Sequence, residues 1–561
     1  MNRSLVALAA ALFVSAASPT PALADTLISN VNGIQVGPAG KLQHFRALVI
    51  SEDGKVRLTI EHPELVRLAG ITETVDGGGR TLLPGLIDAH GHVVDLGTAA
   101  LTLDLVGTGS IAQMQQRLRD YVAQRPDDPW LVGFGWNQES WADKRFPTSA
   151  DLDAVVADRP VVLERVDGHA IVVNGAALRK AGITASIADP AGGKIERDST
   201  GQPTGLFVDS ARSLIESKIP PATSARADEA LEKAQQKLLS FGVTAVGAMS
   251  VSDSDWAAFR RAGDAGRLQV RLMAYALNHP LSAAPAPTGW LYSDRLREVG
   301  VKLFADGALG SRGAWLKKPY ADKPDTRGLP RHSDAEYLAL ADSAAAAGFQ
   351  VATHAIGDAA NAQIVTASEQ LSKKYGADRR WRIEHFQIAD PADIPRLAPA
   401  GIVASMQPTH QTSDRLMAEA RLGPDRLAGA YAWQSVLKSG AKLAFGSDFP
   451  VESPNPFPGL AAAISRQDSE GRPAGGWIPA ERLTFAQALY AFTRGAAFAG
   501  FAEDRIGALE AGKWADFIIV DRDPTTVDAQ ALGRTEVLET WVAGKPVWRR
   551  PVSASPAERG K

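Results

Sequence analysis

Five side chains sit where a metal ion could be held. In Leu83-Pro-Gly-Leu-Ile-Asp-Ala-His-Gly-His92 an apolar run leads into two histidines one residue apart. Residues i and i+2 of an extended chain point the same way, so His90 and His92 can converge on one ion. His354, in Thr353-His-Ala-Ile-Gly-Asp358, and His385, in Ile383-Glu-His385, each follow an apolar run directly. Asp448 follows another, in Ala444-Phe-Gly-Ser-Asp-Phe-Pro450. Taken singly, each has a plainer account: a hydrogen-bonded structural histidine, or an Asp that forms a turn or caps a helix. Together, four strand-end histidines and a strand-end acid point to metal ligands, with Asp448 also able to act as a base.

Other residues carry two readings each. Lys302 lies in Val301-Lys-Leu-Phe304, where an ammonium among apolar neighbours is costly to bury unless paired or modified. It could form a salt bridge to Asp306, or be carbamylated by carbon dioxide into a carboxylate able to bridge two ions. His410, in Gln407-Pro-Thr-His410, follows an apolar run and is a candidate to face substrate. Trp136, Trp141 and the segment Asp167-Gly-His169 are candidates to cover a substrate pocket, and aromatic walls suit an apolar or aromatic group. The competing account of the tryptophans is ordinary core packing.

These residues need a scaffold that collects strand ends. Short apolar runs alternate with Ala-rich helical stretches at Val243–Val246, Val270–Tyr275, Val301–Phe304, Phe349–Ala352, Trp381–Glu384, Gly401–Ser405 and Lys442–Phe445. Repeated βα units predict a parallel sheet, and polar residues at nearly every strand end favour a closed (β/α)8 barrel, which gathers those ends on one face. Residues from about 110 to 240 are too long for one βα connection and predict an inserted subdomain. From Thr26 to Arg80, and again in Asp516–Asp521 and Val537–Val542, short apolar runs separated by turns predict small antiparallel strands. The two ends could therefore build one β-sandwich. The expected organisation is a sandwich part at 25–82, the barrel at 83–500, a second sandwich part at 501–550 and a polar tail at 551–561.

Composition narrows the class. The 561 residues are 45% hydrophobic and 22% charged, as in a globular protein. Sixty Lys+Arg against 63 Asp+Glu give a net charge of -3, which argues against a nucleic-acid partner. With no cysteine, disulfides, thiolate metal sites and cysteine nucleophiles are all excluded. Any ion must be held by His, Asp, Glu or a modified Lys. Imidazole and carboxylate ligands suit zinc. The charged start at Met1–Ser4, the apolar run Leu5–Ala17 and the Ala22-Leu-Ala24 site predict a secretory signal at 1–24. A run of thirteen residues is too short to span a bilayer, so stable membrane insertion is not expected. Export to a periplasm or beyond follows, with a small-molecule substrate as the main partner; a homo-oligomer is left open.

Seven motifs in order carry a resemblance to the amidohydrolase superfamily, in the branch that contains YtcJ-like proteins and N-substituted formamide deformylases. They are Pro84–His92, Arg165–His169, Lys302–Ser311, Thr353–Asp358, Ile383–His385, Gly446–Pro450 and Gly512–Asp516. The resemblance implies a distorted (β/α)8 barrel with a composite sandwich from both termini. It also implies that His90, His92 and Asp448 hold one divalent ion, that His354 and His385 hold a second, and that carbamylated Lys302 bridges them. The activity implied is hydrolysis of an amide, formamide or cyclic amide C–N bond by metal-activated water, with Asp448 moving the proton. Two alternatives stay open: ester, lactone or phosphoester hydrolysis at the same centre, and a non-catalytic binding protein on the same barrel.

Overall fold

Runs rich in Val, Ile, Leu and Ala and buried on both faces form parallel strands, because covering helices pack on one face of a closed barrel and the barrel's own interior fills the other. In the computed structural model, which describes residues 24–551 apart from 139–140, 167, 169, 191–192 and 221–222, eight such strands lie in sequence order. They are β1 (Leu86–Gly91), β2 (Val243–Val251), β3 (Arg271–Leu277), β4 (Leu296–Phe304), β5 (Gln350–Ala355), β6 (Trp381–His385), β7 (Ile402–Met406) and β8 (Lys442–Phe445). Each pairs with the next in parallel from β1 to β8.

Backbone bonds just past β8 bring the two edges together. Asp448 N–H donates to His90 O at 2.8 Å, and His92 N–H donates to Phe449 O at 2.8 Å. The Asp88 carboxylate stitches this seam, accepting the Ser447 hydroxyl at 2.6 Å, the Ser447 N–H at 3.1 Å and the His90 N–H at 3.0 Å. Burial pushes the Asp88 carboxyl up to about 7, against those hydrogen bonds. Gly446 is required at the crossing: a Cβ there would lie 2.5 Å from Asp88 Oδ1 and 2.6 Å from the His90 nitrogen.

Helices cover the barrel where capping residues start them. Ser252 and Ser333 open Asp253–Asp264 and Asp334–Ala346 with reciprocal side-chain to backbone bonds, and Pro408 starts Pro408–Leu422 at the position where its missing N–H costs nothing. Leu231, Leu238, Trp256 and Phe259 from two such helices pack with Val246, Leu272 and Ala274 on the outer face of β2 and β3.

Both ends of the chain build sheets beside the barrel. A four-stranded sheet has the order Val56–Ile60, Ala47–Ile50, Asp25–Ser29, Ile71–Asp76. A six-stranded sheet runs Lys545–Arg549, Val537–Val542, Phe517–Val520, Thr81–Pro84, Asn32–Val36, Leu42–Phe45, so three strands from the C-terminal end continue without a break into three from the N-terminal end. Ile28, Leu48 and Ile50 of the first sheet share a core with Leu82, Ile519 and Trp541 of the second. The pairing is mixed rather than antiparallel throughout: Asp25–Ser29 runs parallel to Ile71–Asp76, and Asn32–Val36 parallel to Thr81–Pro84. Short apolar runs predict strands but carry no signal for direction when the partners are not joined by a tight turn.

Between β1 and β2 lies a second six-stranded sheet whose strands fall within Leu103–Asp209. One face packs on Leu118, Trp136, Trp141 and Leu163, the other on Trp130, Val162, Ile171 and Phe207. The helix Ser224–Ser240 packs on the barrel side, against the helix Val93–Leu101 and the outer face of β2. Among the described residues no helix is long and apolar enough to cross a membrane. The expected signal at 1–24, but for Ala24, and the tail past 551 lie outside the described residues.

Candidate metal centre

The polar floor of the site begins with Arg382 and Glu384, which share one face of β6. Arg382 is 1% exposed and Glu384 is fully buried. The guanidinium grips the carboxylate through two bonds, Nε to Oε1 at 2.7 Å and Nη2 to Oε2 at 3.0 Å. It also reaches Ala89 O, the Tyr275 hydroxyl and Ser405 Oγ, tying β6 to β1, β3 and β7. Burial alone would raise the Glu384 carboxyl. The Arg382 guanidinium and the His90 N–H outweigh it and hold Glu384 below the ordinary carboxylate range.

Glu384 in turn orients the first histidine. His90 Nδ1–H donates to Glu384 Oε2 at 2.7 Å, which leaves Nε2 as a lone pair facing the cavity. That nitrogen is 3.3 Å from Asp448 Oδ1, and His92 Nε2 is 3.1 Å from the same oxygen. His90, His92 and Asp448 each offer an atom within 4.8 Å of the others. Asp448 takes φ 59° and His385 φ 76°, left-handed backbone that non-glycine residues hold only when neighbouring structure enforces it. Burial opposes ionisation of Asp448, yet His90 and His92 keep its carboxyl well below the usual range.

Lys302 and the remaining histidines close the ring. Lys302 Nζ lies 3.4 Å from His90 Nε2 and 5.0 Å from the centre of the Phe304 ring. Burial lowers its pKa to about 8, although Glu384 and Asp448 favour the charged form. No Lys302–Asp306 ion pair occurs among the described residues. Asp306 instead accepts the backbone N–H groups of Trp315, Ile356 and Gly357 at 2.8, 3.0 and 2.8 Å. The His354 ring centre lies 4.6 Å from that of His385, which lies 4.8 Å from that of His90. Burial, followed by the nearby Lys302 charge, lowers the His354 pKa to about 3, and burial lowers that of His385 well below its ordinary value. Both rings are thus neutral, the state a metal ligand needs. His385 Nδ1–H donates to Gln407 Oε1 at 2.9 Å, leaving Nε2 free.

All six residues of the expected ligand set line one cavity of about 890 Å³, within the size range of small-molecule sites. His410 lines it too, from the helix that follows β7. Trp136 does not: its ring is 0% exposed, and its indole N–H donates to Leu163 O at 2.8 Å inside the inserted sheet. The packing account of that tryptophan is the one the structure shows, because a flat sheet face needs large apolar fillers as much as a pocket does. His169 lies outside the described residues. Four site residues had no sequence reading of their own: Glu384, Arg382, Gln407 and Gln387. Glu384 alone left a trace, as the residue that joins an apolar strand to His385.

Imidazole and carboxylate donors converging at the carboxyl ends of a parallel barrel define a metal-dependent hydrolase. The chain belongs to the amidohydrolase family, whose model matches residues 73–548. It is 34% identical over 514 residues to YtcJ of Bacillus subtilis (strain 168), covering 90% of this chain and 96% of that one. It is 29% identical over 496 residues to the N-substituted formamide deformylase of Arthrobacter pascens, covering 84% and 89%. Among solved structures, an uncharacterized metal-dependent hydrolase from Pyrococcus horikoshii OT3 superposes with a TM-score of 0.75 at 29% identity, covering 90% of this chain and 99% of that chain.

Proposed function

We propose that this protein hydrolyses a C–N bond of an amide, formamide or cyclic amide. The observation that carries this reading is the convergence of His90, His92 and Asp448 within one cavity, with neutral His354 and His385 and buried Lys302 beside them. The donor set fits one or two divalent ions, zinc above all: neutral imidazoles and a carboxylate held ionised, with no thiolate. His90, His92 and Asp448 would hold one ion, His354 and His385 a second, and Lys302, carbamylated, would bridge them. When bound, such an ion lowers the pKa of a coordinated water from about 15.7 towards about 7 and polarises the scissile carbonyl.

The chain's own residues do the rest. Asp448 accepts the proton of the attacking water and returns it to the departing nitrogen, since an amide nitrogen leaves poorly until protonated. Water's oxygen bonds to the carbonyl carbon, the C–N bond breaks, and the amine leaves with that proton. Glu384 and Gln407 fix which nitrogens of His90 and His385 face the centre. The resemblance to a deformylase of N-substituted formamides supports the amide reading over an ester, lactone or phosphoester one.

In the same reading the two terminal sheets form one sandwich beside the barrel, and residues 1–24 direct export to a periplasm or beyond. Metal analysis of the purified protein, then a panel of matched amides and esters before and after chelation, tests the function. Full activity in verified metal-free protein would overturn the metal mechanism. Ester turnover without amide turnover would overturn the C–N assignment.

A further inference from the structure

His410 stands outside the expected ligand set yet faces the same centre. It is 6% exposed, and Nε2 lies 3.9 Å from Asp448 Oδ2. Its ring stacks on that of His385, the centres 6.0 Å apart and the planes 23° from parallel. Nε2 has no hydrogen-bond partner among the described residues. Nδ1 lies 3.1 Å from Gln387 Nε2.

The partner of Nδ1 decides what Nε2 can do. An amide nitrogen only donates, so Nδ1 is the acceptor and the single proton of the neutral ring sits on Nε2. A protonated ring nitrogen is not a metal ligand. His410 offers a ring nitrogen within 4.8 Å of ligand atoms from His385 and Asp448, but the proton on Nε2 and the Gln387 bond to Nδ1 bar both nitrogens from joining them. At 3.9 Å it is too far from the Asp448 carboxylate for a hydrogen bond. A buried N–H without a partner is costly, and this one belongs to a ring that lines the cavity beside the group that takes the water's proton.

We infer that Gln387 and His410 work as a pair in which Gln387 fixes the ring tautomer and His410 Nε2–H donates a hydrogen bond to the carbonyl oxygen of the bound substrate. The inference rests on the hydrolase reading above. The bond strengthens as that oxygen gains charge in the tetrahedral state, and no proton leaves His410. His410 is therefore a catalytic residue, and Gln387 a positioning residue that acts through it.

The test uses the purified enzyme with the ions it carries. In His410→Gln, ion content by elemental analysis should equal the parent's. For whichever amide or ester the parent turns over, kcat should fall about 10²–10³-fold with KM within a few-fold, as when one oxyanion donor is removed. Nitrogen-15 NMR of histidine-labelled protein, with the His410 signal identified by its loss in His410→Gln, should show the Nε2–H form in the parent. Gln387→Glu should shift that signal towards a protonated Nδ1, and Gln387→Leu should abolish the preference without a new charge. Loss of an ion in His410→Gln, a parent ring protonated on Nδ1, or a raised KM with kcat unchanged would each overturn the inference. If the parent hydrolyses nothing in the panel, the hydrolase reading fails on its own, while ion content and tautomer still decide whether His410 is donor or ligand.

Discussion

Glu384→Gln removes one charge at the point where the barrel interior and the metal centre share a residue. The substitution keeps the volume but leaves the Arg382 guanidinium, 1% exposed, without its counter-charge. Breaking a buried ion pair from one side typically costs about 3–5 kcal/mol, whereas replacing both partners by apolar groups is often near neutral. Glu384→Gln is therefore expected to destabilise the protein by about 3–5 kcal/mol. The double variant Arg382→Met with Glu384→Leu should lose less than the single one, even though Ala89 O gives up its donor. Ion affinity should behave differently. His90 loses the acceptor at 2.7 Å that orients it in the double variant and keeps only a neutral amide in place of the carboxylate in the single one, and outer-shell partners of this kind are worth about 10–100-fold in affinity. Denaturant midpoints and chelator competition read the two effects separately. The pH dependence has a definite sign. The folded pKa of Glu384 is depressed, so its stabilising contribution is complete above the unfolded value of about 4.3 and is lost as pH falls towards the folded one. Acidification below about pH 5 should thus destabilise the parent more than Glu384→Gln. A single variant within about 1 kcal/mol of the parent, with unchanged ion affinity, would refute the argument.

Other substitutions probe the centre and the seam. Asp448→Asn keeps a coordinating oxygen but cannot take a proton, so at matched ion occupancy kcat should drop about 10²–10⁴-fold; a loss of only a few-fold would assign the proton to another group. Lys302→Arg keeps the charge but cannot be carbamylated, so elemental analysis should find fewer ions and assays should find little turnover; parental ion content and rate would exclude Lys302 as the bridge. Gly446→Ala forces a methyl to within 2.5 Å of Asp88 Oδ1 and should cost about 1–3 kcal/mol by denaturation, with weaker ion binding because the seam carries both His90 and Asp448; an unchanged midpoint would show that the seam relaxes freely.

The barrel was legible because its strands are apolar on both faces and end in polar residues, a pattern that few other architectures produce. His90, His92, Lys302, His354, His385 and Asp448 were legible for the same reason: each interrupts or closes one of those runs. The supports were not. Trp381-Arg-Ile-Glu-His385 reads as an ordinary alternating strand whose polar face meets water, and only barrel closure turns that face into an interior where Arg382 must neutralise Glu384. Gln407 and Gln387 carry no charge and no spacing signature, and their meaning comes from which ring each touches. Strand direction in the terminal sheets was illegible because parallel and antiparallel partners share one residue preference, and direction depends on how distant segments meet.

Two glutamines set chemically identical rings in opposite tautomers. At the end of β6, His385 donates through Nδ1 to the oxygen of Gln407, which leaves Nε2 a lone pair suited to an ion. On the helix after β7, His410 accepts at Nδ1 from the nitrogen of Gln387, which leaves Nε2 an N–H suited to an oxygen of substrate. A carboxylate in either place would remove the choice, since it can only accept and would force the proton onto Nδ1. His90 has such a partner in Glu384, and the added charge suits a ligand that must stay basic beside Lys302. On the proposed scheme, whether a ring holds an ion or a substrate therefore depends on which end of a neutral amide it meets, behind the residues that do the chemistry.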